Sequence, residues 1–145
     1  MPSIDLVEES FIAATPGVVA AVVREKDNWQ SWWPDLTLAV FQDRGEKGVR
    51  WNVTGALVGS AEIWLQAHGD GVIVHYYLRT DPTVPGSSTE AATYDARRAE
   101  RERRARGAAA RRLFWRLKDE IEAGRKPGEP AVGAPGDPGL ATAAR

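Results

Sequence analysis

The sequence predicts an α+β domain in which an antiparallel β-sheet curls around a long C-terminal α-helix, with two short helices after the first strand. Three observations predict it. A β-compatible opening ends at Thr15-Pro16, where a capping residue is followed by proline at the first helical position. Between Leu36 and Asp81, apolar and polar residues alternate and are cut by glycine-containing turns, the pattern of consecutive hairpins. A last segment repeats its apolar residues at helical spacing and closes at Gly124.

The elements follow in order. Residues 5–14 (DLVEESFIAA) suit a strand. Residues 18–23 (VVAAVV) suit a short buried helix despite their β-branched side chains, because Thr15-Pro16 is a start signal and periodicity alone cannot decide so short a run. Asn28 is placed to cap a second short helix that carries Trp29, Trp32 and Trp33 on one face, and Pro34 stops it. Strands then occupy residues 36–43, 49–54, 60–67 and 72–81, with Gly55 and Gly59 bracketing a turn or bulge. The Asp70-Gly71 pair between alternating apolar runs marks the last hairpin. Its pleat sets Ile63 and Leu65 on the same face as Val72, Val74, Tyr76 and Leu78, and leaves Glu62, Trp64, His75, Tyr77 and Arg79 on the other.

Residues 82–89 (PTVPGSST) read as a loop, and Ser87-x-x-Glu90 resembles a capping box. The closing helix is therefore expected over residues 88–123, roughly 50 Å at 1.5 Å per residue. Strands of this length cover only about 20–30 Å, so the helix overhangs the sheet. Its second half has a core stripe of Ala110, Leu113, Phe114, Leu117 and Ile121; its first half has only alanines there. A break near Gly107 or a projecting solvated segment is expected. Residues 1–124 form the expected domain. Residues 125–145, rich in proline, glycine and alanine, are expected to be a disordered tail.

Composition narrows the function classes. A chain of 145 residues with 43% hydrophobic content and six tryptophans supports one ordinary core. The absence of cysteine excludes disulfides, thiolate nucleophiles and thiolate metal sites. Two histidines, His68 and His75, are too few for a His-based metal centre, so neither metal nor cofactor is expected. No run approaches the roughly 20 apolar residues of a membrane span. The start, MPSIDLVEES, is acidic where a signal peptide is basic and then apolar, so a cytoplasmic protein is expected. Charge is uneven: residues 1–94 carry 6 Lys/Arg against 12 Asp/Glu, and residues 95–126 carry 12 against 6. A basic helix on an acidic body is the simplest reading, and a basic arm for nucleic acid or anionic lipid is the alternative.

With the elements in place, the residues resemble a known family. Val7-Glu8-Glu9-Ser10, then Ile12-x-Ala14-x-Pro16 with Val19 after it, resembles the opening of the START-like, helix-grip superfamily. The closest look is to its polyketide cyclase/dehydrase and lipid-transport branch. Residues 29–34 (WQSWWP) are similar to that family's aromatic segment after the first helices. Residues 59–65 (GSAEIWL), the Gly69-Asp70-Gly71 turn and Val74-x-Tyr76 resemble its last hairpin. The resemblance covers about residues 5–124. It implies a cavity between sheet and C-terminal helix that binds a small hydrophobic ligand, and members include polyketide cyclases and lipid carriers. About four strands fit between Leu36 and Asp81 where the family usually has six, which implies a reduced sheet and a small or open cavity.

The residues themselves nominate candidates. Trp33 and Trp51 are placed to stack on a flat ligand, or serve as ordinary core anchors. With Val53, Ile63, Leu65, Val74, Tyr76, Leu78, Phe114 and Leu117 they make the expected pocket lining. A cofactor-independent cyclase needs polarised carbonyls and a proton shuttle; Tyr76 is the inward candidate, with Arg103 or Arg106 entering from the helix. No triad, carboxylate dyad or phosphate loop is present. Trp64, His75 and Tyr77 make the outer face unusually aromatic, which points to a surface cluster or a homodimer interface. The arginine run is interleaved with Glu100 and Glu102 at i, i+4 spacing, worth roughly 0.2–0.5 kcal/mol per pair, and reads as a solvated helix rather than a nucleic-acid reader.

Overall fold

The computed structural model describes residues 2–137. In chain order it runs β1 (Ile4–Ile12), α1 (Pro16–Val23), α2 (Lys26–Trp32), β2 (Leu36–Asp43), β3 (Gly48–Gly55), β4 (Leu57–His68), β5 (Gly71–Pro82) and α3 (Ala96–Ile121), with one 3-10 turn at Gly45–Lys47. The strands form a single antiparallel sheet in the order β1-β5-β4-β3-β2. The first strand thus lies beside the last, and the four strands from Leu36 onward are the four the sequence has room for.

Alternation decides the two faces. In the β4–β5 hairpin Ala61 pairs with Leu78, Ile63 with Tyr76 and Leu65 with Val74, so one face becomes continuously apolar. Val49, Trp51 and Val53 extend it across β3, and Ile4, Leu6 and Ile12 across β1; all are buried. The three helices cover this inner face. Helix α1 opens at Thr15 with Pro16 at its first turn and buries Val19, Ala20 and Val23. Helix α3 lies chiefly against β1 and buries Ala110, Leu113, Phe114 and Leu117.

Several expectations are corrected. Helix α2 starts at Lys26 with the Glu25 carboxylate as its cap; Asn28 instead donates from Nδ2 to the Val22 carbonyl at 2.9 Å. Trp33 falls just beyond the helix, because residues before proline avoid helical backbone. Helix α3 begins at Ala96, capped by Asp95, and not near Ser88. The Ser87 hydroxyl does accept from the Thr89 and Glu90 N–H groups. The chain nevertheless turns back, because Val84 and Ala92 N–H bond to the Glu90 and Pro82 carbonyls. Those tertiary pairings use the groups a helix would have needed.

Gly107 does not break α3. A β-carbon there would sit 3.3 Å from Leu6 and 3.2 Å from Glu8, so glycine lets the helix axis approach β1 closely. The arginine-rich first half is held by Arg103 and Arg104 on Glu100 and by Arg106 on Glu102.

The segment after α3 differs from the expected disordered tail as far as residue 137. The Thr15 N–H donates to the Val132 carbonyl and the Val132 N–H to the Ala13 carbonyl, each at 2.9 Å, and Ala131 is buried. The expectation for residues 138–145 lies outside the described residues.

Candidate functional site

The residues nominated as pocket lining meet in one buried cluster between sheet and helices: Trp33, Trp51, Val53, Ile63, Leu65, Val74, Tyr76, Leu78, Phe114 and Leu117. Its centre is aromatic. Trp51 meets Trp29 edge-on at 5.2 Å and Trp33 at 5.6 Å; Trp33 lies nearly flat on Tyr76 at 5.8 Å; Tyr76 meets the edge of Phe114 at 5.8 Å. These are the offset and edge-to-face arrangements that ring quadrupoles prefer. The Trp29 indole N–H donates to the Val23 carbonyl at 2.7 Å, tying α2 to the end of α1. The space between sheet and helix is therefore occupied by rings of the chain itself.

Among the described residues, two buried polar atoms in this core have no hydrogen-bond partner: Trp51 Nε1 and Thr80 Oγ1. An unpaired buried donor costs roughly 1–3 kcal/mol. The Trp51 indole is wholly buried, so its N–H is a fixed donor inside an otherwise apolar cluster. A shallow groove of about 260 Å³ between α2 and β2 reaches the cluster, lined by Trp29, Leu36 and Leu38 with Lys26 at its edge.

At the rim stands Arg106. Its side chain, 16% exposed, forks onto both oxygens of Asp35, with one arm at 3.0 Å, and bonds Glu102 at 3.0 Å from Nε. This joins α3 to the residue just before β2. The Arg106 hydrogen bond holds the Asp35 carboxyl below its ordinary 3.8, against the opposing effect of burial. Burial pushes the Tyr76 phenol well above its ordinary 10, with nearby Arg106 and a hydrogen bond with Trp33 pulling the other way. Tyr76 thus stays protonated as a hydrogen-bonding group. Of the three residues nominated for proton chemistry, Tyr76 and Arg106 share an electrostatic environment. Arg103 does not join them: it is half-buried near Glu8 of β1 and bonds Glu100 at 2.7 Å.

The Asp35–Arg106 clamp carries a pH signature. Asp35 has a depressed folded-state pKa, so its contribution is complete above the unfolded value near 4 and is lost as pH falls through the lower folded value. Arg106→Met is expected to cost about 1–2 kcal/mol at neutral pH. It also flattens the stability–pH curve below about pH 4. Urea melts at pH 7, 4 and 3 check both; an unchanged acid slope would mean that Asp35 is not held by Arg106.

The outer face holds the other aromatic group. His75 is 7% exposed, stacked on Trp64 at 4.5 Å and near-parallel to Tyr77 at 6.4 Å. Its ring nitrogens meet the Glu9 carboxylate at 3.1 Å and the Gln66 amide oxygen at 2.9 Å. His75 is therefore a fixed scaffold rather than a contact residue of this face. Beside the stack lies a groove of about 580 Å³ lined by Phe41, Arg44, Arg50, Trp64, Tyr77 and Arg79, among others. Sequence reasoning missed Phe41, Arg44 and Asp35. For Phe41 a signal existed in the adjacent pair Val40-Phe41, where strict alternation fails. Among the described residues no cluster of His, Cys, Asp or Glu suits a metal ion, and no helix is long and apolar enough to cross a membrane.

No protein-family model and no curated protein matches the sequence. Solved structures do. The Aha1 dimer from Colwellia psychrerythraea is 15% identical with a TM-score of 0.57, covering 85% of this chain and 99% of that one. The DR_A0006 protein of Deinococcus radiodurans is 13% identical with a TM-score of 0.58, over 83% and 98%. The TTHA0849 protein of Thermus thermophilus is 12% identical with a TM-score of 0.50, over 84% and 99%. Likeness at such identity is a likeness of fold. The chain has the helix-grip α+β fold, the one to which its sequence resemblance points.

Proposed function

We propose that this chain binds a small hydrophobic or aromatic molecule, polyketide- or lipid-like in chemistry, between the sheet and its C-terminal helix. The observation that carries the reading is the unpartnered Trp51 N–H within the ring cluster. A flat ligand bearing a carbonyl would satisfy that donor and stack on the same faces that Trp33 and Tyr76 now offer each other. Trp33 is the side chain suited to give way, because it lies beyond the end of α2 and not within it. The groove between α2 and β2 supplies the approach, and Arg106 and Tyr76 supply a polar end for a hydroxyl or carboxylate. Burial holds the Tyr76 phenol protonated, so in this reading, of a carrier or receptor, it serves as a donor to a ligand oxygen.

The experiment is a titration with 1,8-dihydroxyanthraquinone and with oleate, read by native mass spectrometry and by thermal shift. A one-to-one adduct with a rise in Tm is expected for at least one of them. Trp51→Phe removes the donor and keeps most of the ring, so anthraquinone affinity should fall roughly ten-fold, the value of one hydrogen bond. No adduct and no thermal shift with either compound would refute the reading.

A further inference from the structure

We propose that the outer face of the sheet, opposite the helix-covered core, carries a separate binding site for a planar aromatic anion, one or two fused rings bearing a carboxylate. The groove of about 580 Å³ on this face lies within the size range of small-molecule sites. Its chemistry is two-part. Phe41, 63% exposed, and the Trp64 and Tyr77 side chains, aligned through His75, present apolar ring surface. A large exposed aromatic beside such rings is an arrangement that stability alone does not call for.

The second part is cationic. Residues 1–94 hold 12 acidic side chains and only 6 Lys/Arg, yet 3 of those 6, Arg44, Arg50 and Arg79, line this one groove. They are also loosely engaged. Arg44 and Arg50 share the single carboxylate of Glu62 at 3.7 and 3.2 Å, Arg50 also donating to Gln42 Oε1 at 3.3 Å, and Arg79 sits 3.6 Å from Asp5. Several arginine pairs elsewhere are tighter, 2.8 Å for Arg24–Asp43, 2.7 Å for Arg103–Glu100 and 2.6 Å for Arg111–Glu8, although Arg116–Glu120 at 4.0 Å is looser. Two guanidinium groups on one carboxylate leave donors for a second anion. Arg50 already lies over the Phe41 ring, 5.5 Å from its centroid, so charge and ring surface meet at one point. A flat carboxylate would stack against Phe41 and Trp64 and take its charge partners from Arg50 and its neighbours.

The site is independent of the one proposed for the core, since the two lie on opposite faces of the sheet. The test follows the Trp64 indole N–H signal by NMR while 2-naphthoate is added, with 2-naphthalenemethanol and cyclohexanecarboxylate as neutral and non-planar controls. Naphthoate is expected to shift the Trp64 signal saturably and to bind at least ten-fold more tightly than either control. Arg50→Gln and Phe41→Ser, both exposed positions, should each weaken it several-fold with Tm unchanged, and affinity should fall with added salt. Equal binding of the neutral alcohol would overturn the proposal. So would shifts confined to Trp33 and Trp51, which would assign binding to the core instead. Concentration-dependent broadening of Trp64 that Phe41→Ser abolishes, without response to naphthoate, would also overturn it, because the face would then seat a second copy of the chain.

Discussion

Trp51→Ala is expected to destabilise the chain by about 3–5 kcal/mol, the range for removing a large aromatic from a packed core. Trp51 is fully buried and touches both Trp29 and Trp33, which belong to segments that cover the sheet without being part of it. Its removal leaves a cavity that these rings cannot collapse to fill. Because the Trp33–Tyr76 stack leans on the same ring, the variant should also lose anthraquinone binding altogether, where Trp51→Phe loses only part. Chemical denaturation followed by far-ultraviolet circular dichroism gives the stability. A loss below 1 kcal/mol would mean that Trp51 is not the centre of the core.

Gly48→Ala is the second large effect. Gly48 has φ 112°, and a β-carbon there would meet the Ile63 carbonyl oxygen at 2.0 Å. Both the backbone conformation and the space exclude a side chain, so β3 must part from β4 where Gly48 faces Trp64. The expected loss is roughly 2–4 kcal/mol, combining backbone strain with broken strand pairing. A distinct consequence falls on function: Trp64 shifts, so naphthoate response on the outer face weakens even at low temperature, where the protein remains folded. Gly69→Ala is the control, since nothing stands within 4 Å of its β-carbon position and only the φ of 56° opposes it. It should cost about 1 kcal/mol and leave the groove intact. Equal melting of the two variants would contradict the packing argument.

These consequences separate what local chemistry encodes from what only the fold assembles. The inner face of the β4–β5 hairpin is legible because its pleat has period two and its turn carries Asp70-Gly71. Ile63 opposite Tyr76 follows from that alone. Thr15-Pro16 likewise announces α1. The start of α3 is not legible: Ser87 and Asp95 both offer credible caps, and backbone bonds from Val84 to Glu90 and from Ala92 to Pro82 favour the second. Gly107 looks like a breaker when only propensity is weighed, and becomes a point of close approach once β1 lies beneath it.

The site divides the same way. The apolar lining is named by alternation and helical spacing. The Arg106–Asp35 clamp spans 71 residues and has no local signature. The outer groove depends on a register shift in β2 between Val40, which pairs with Trp51, and Gln42, which pairs with Arg50. Phe41 is the residue without a partner in the pairing; it keeps the outward parity of Thr37 and Ala39, and the bulge sets Gln42 on the same outward side, opposite Arg50. Alternation therefore places Phe41 outward; what it does not show is the bulge itself, which brings Gln42 beside Arg50.

The most direct measurement of the central claim is a two-dimensional NMR titration of the six indole N–H groups with 1,8-dihydroxyanthraquinone. The Trp51 signal should move furthest, downfield and saturably, as its unpaired donor gains an acceptor, with Trp33 following and Trp64 unmoved. A Trp51 signal that stays in place at saturating ligand would contradict binding between sheet and helix.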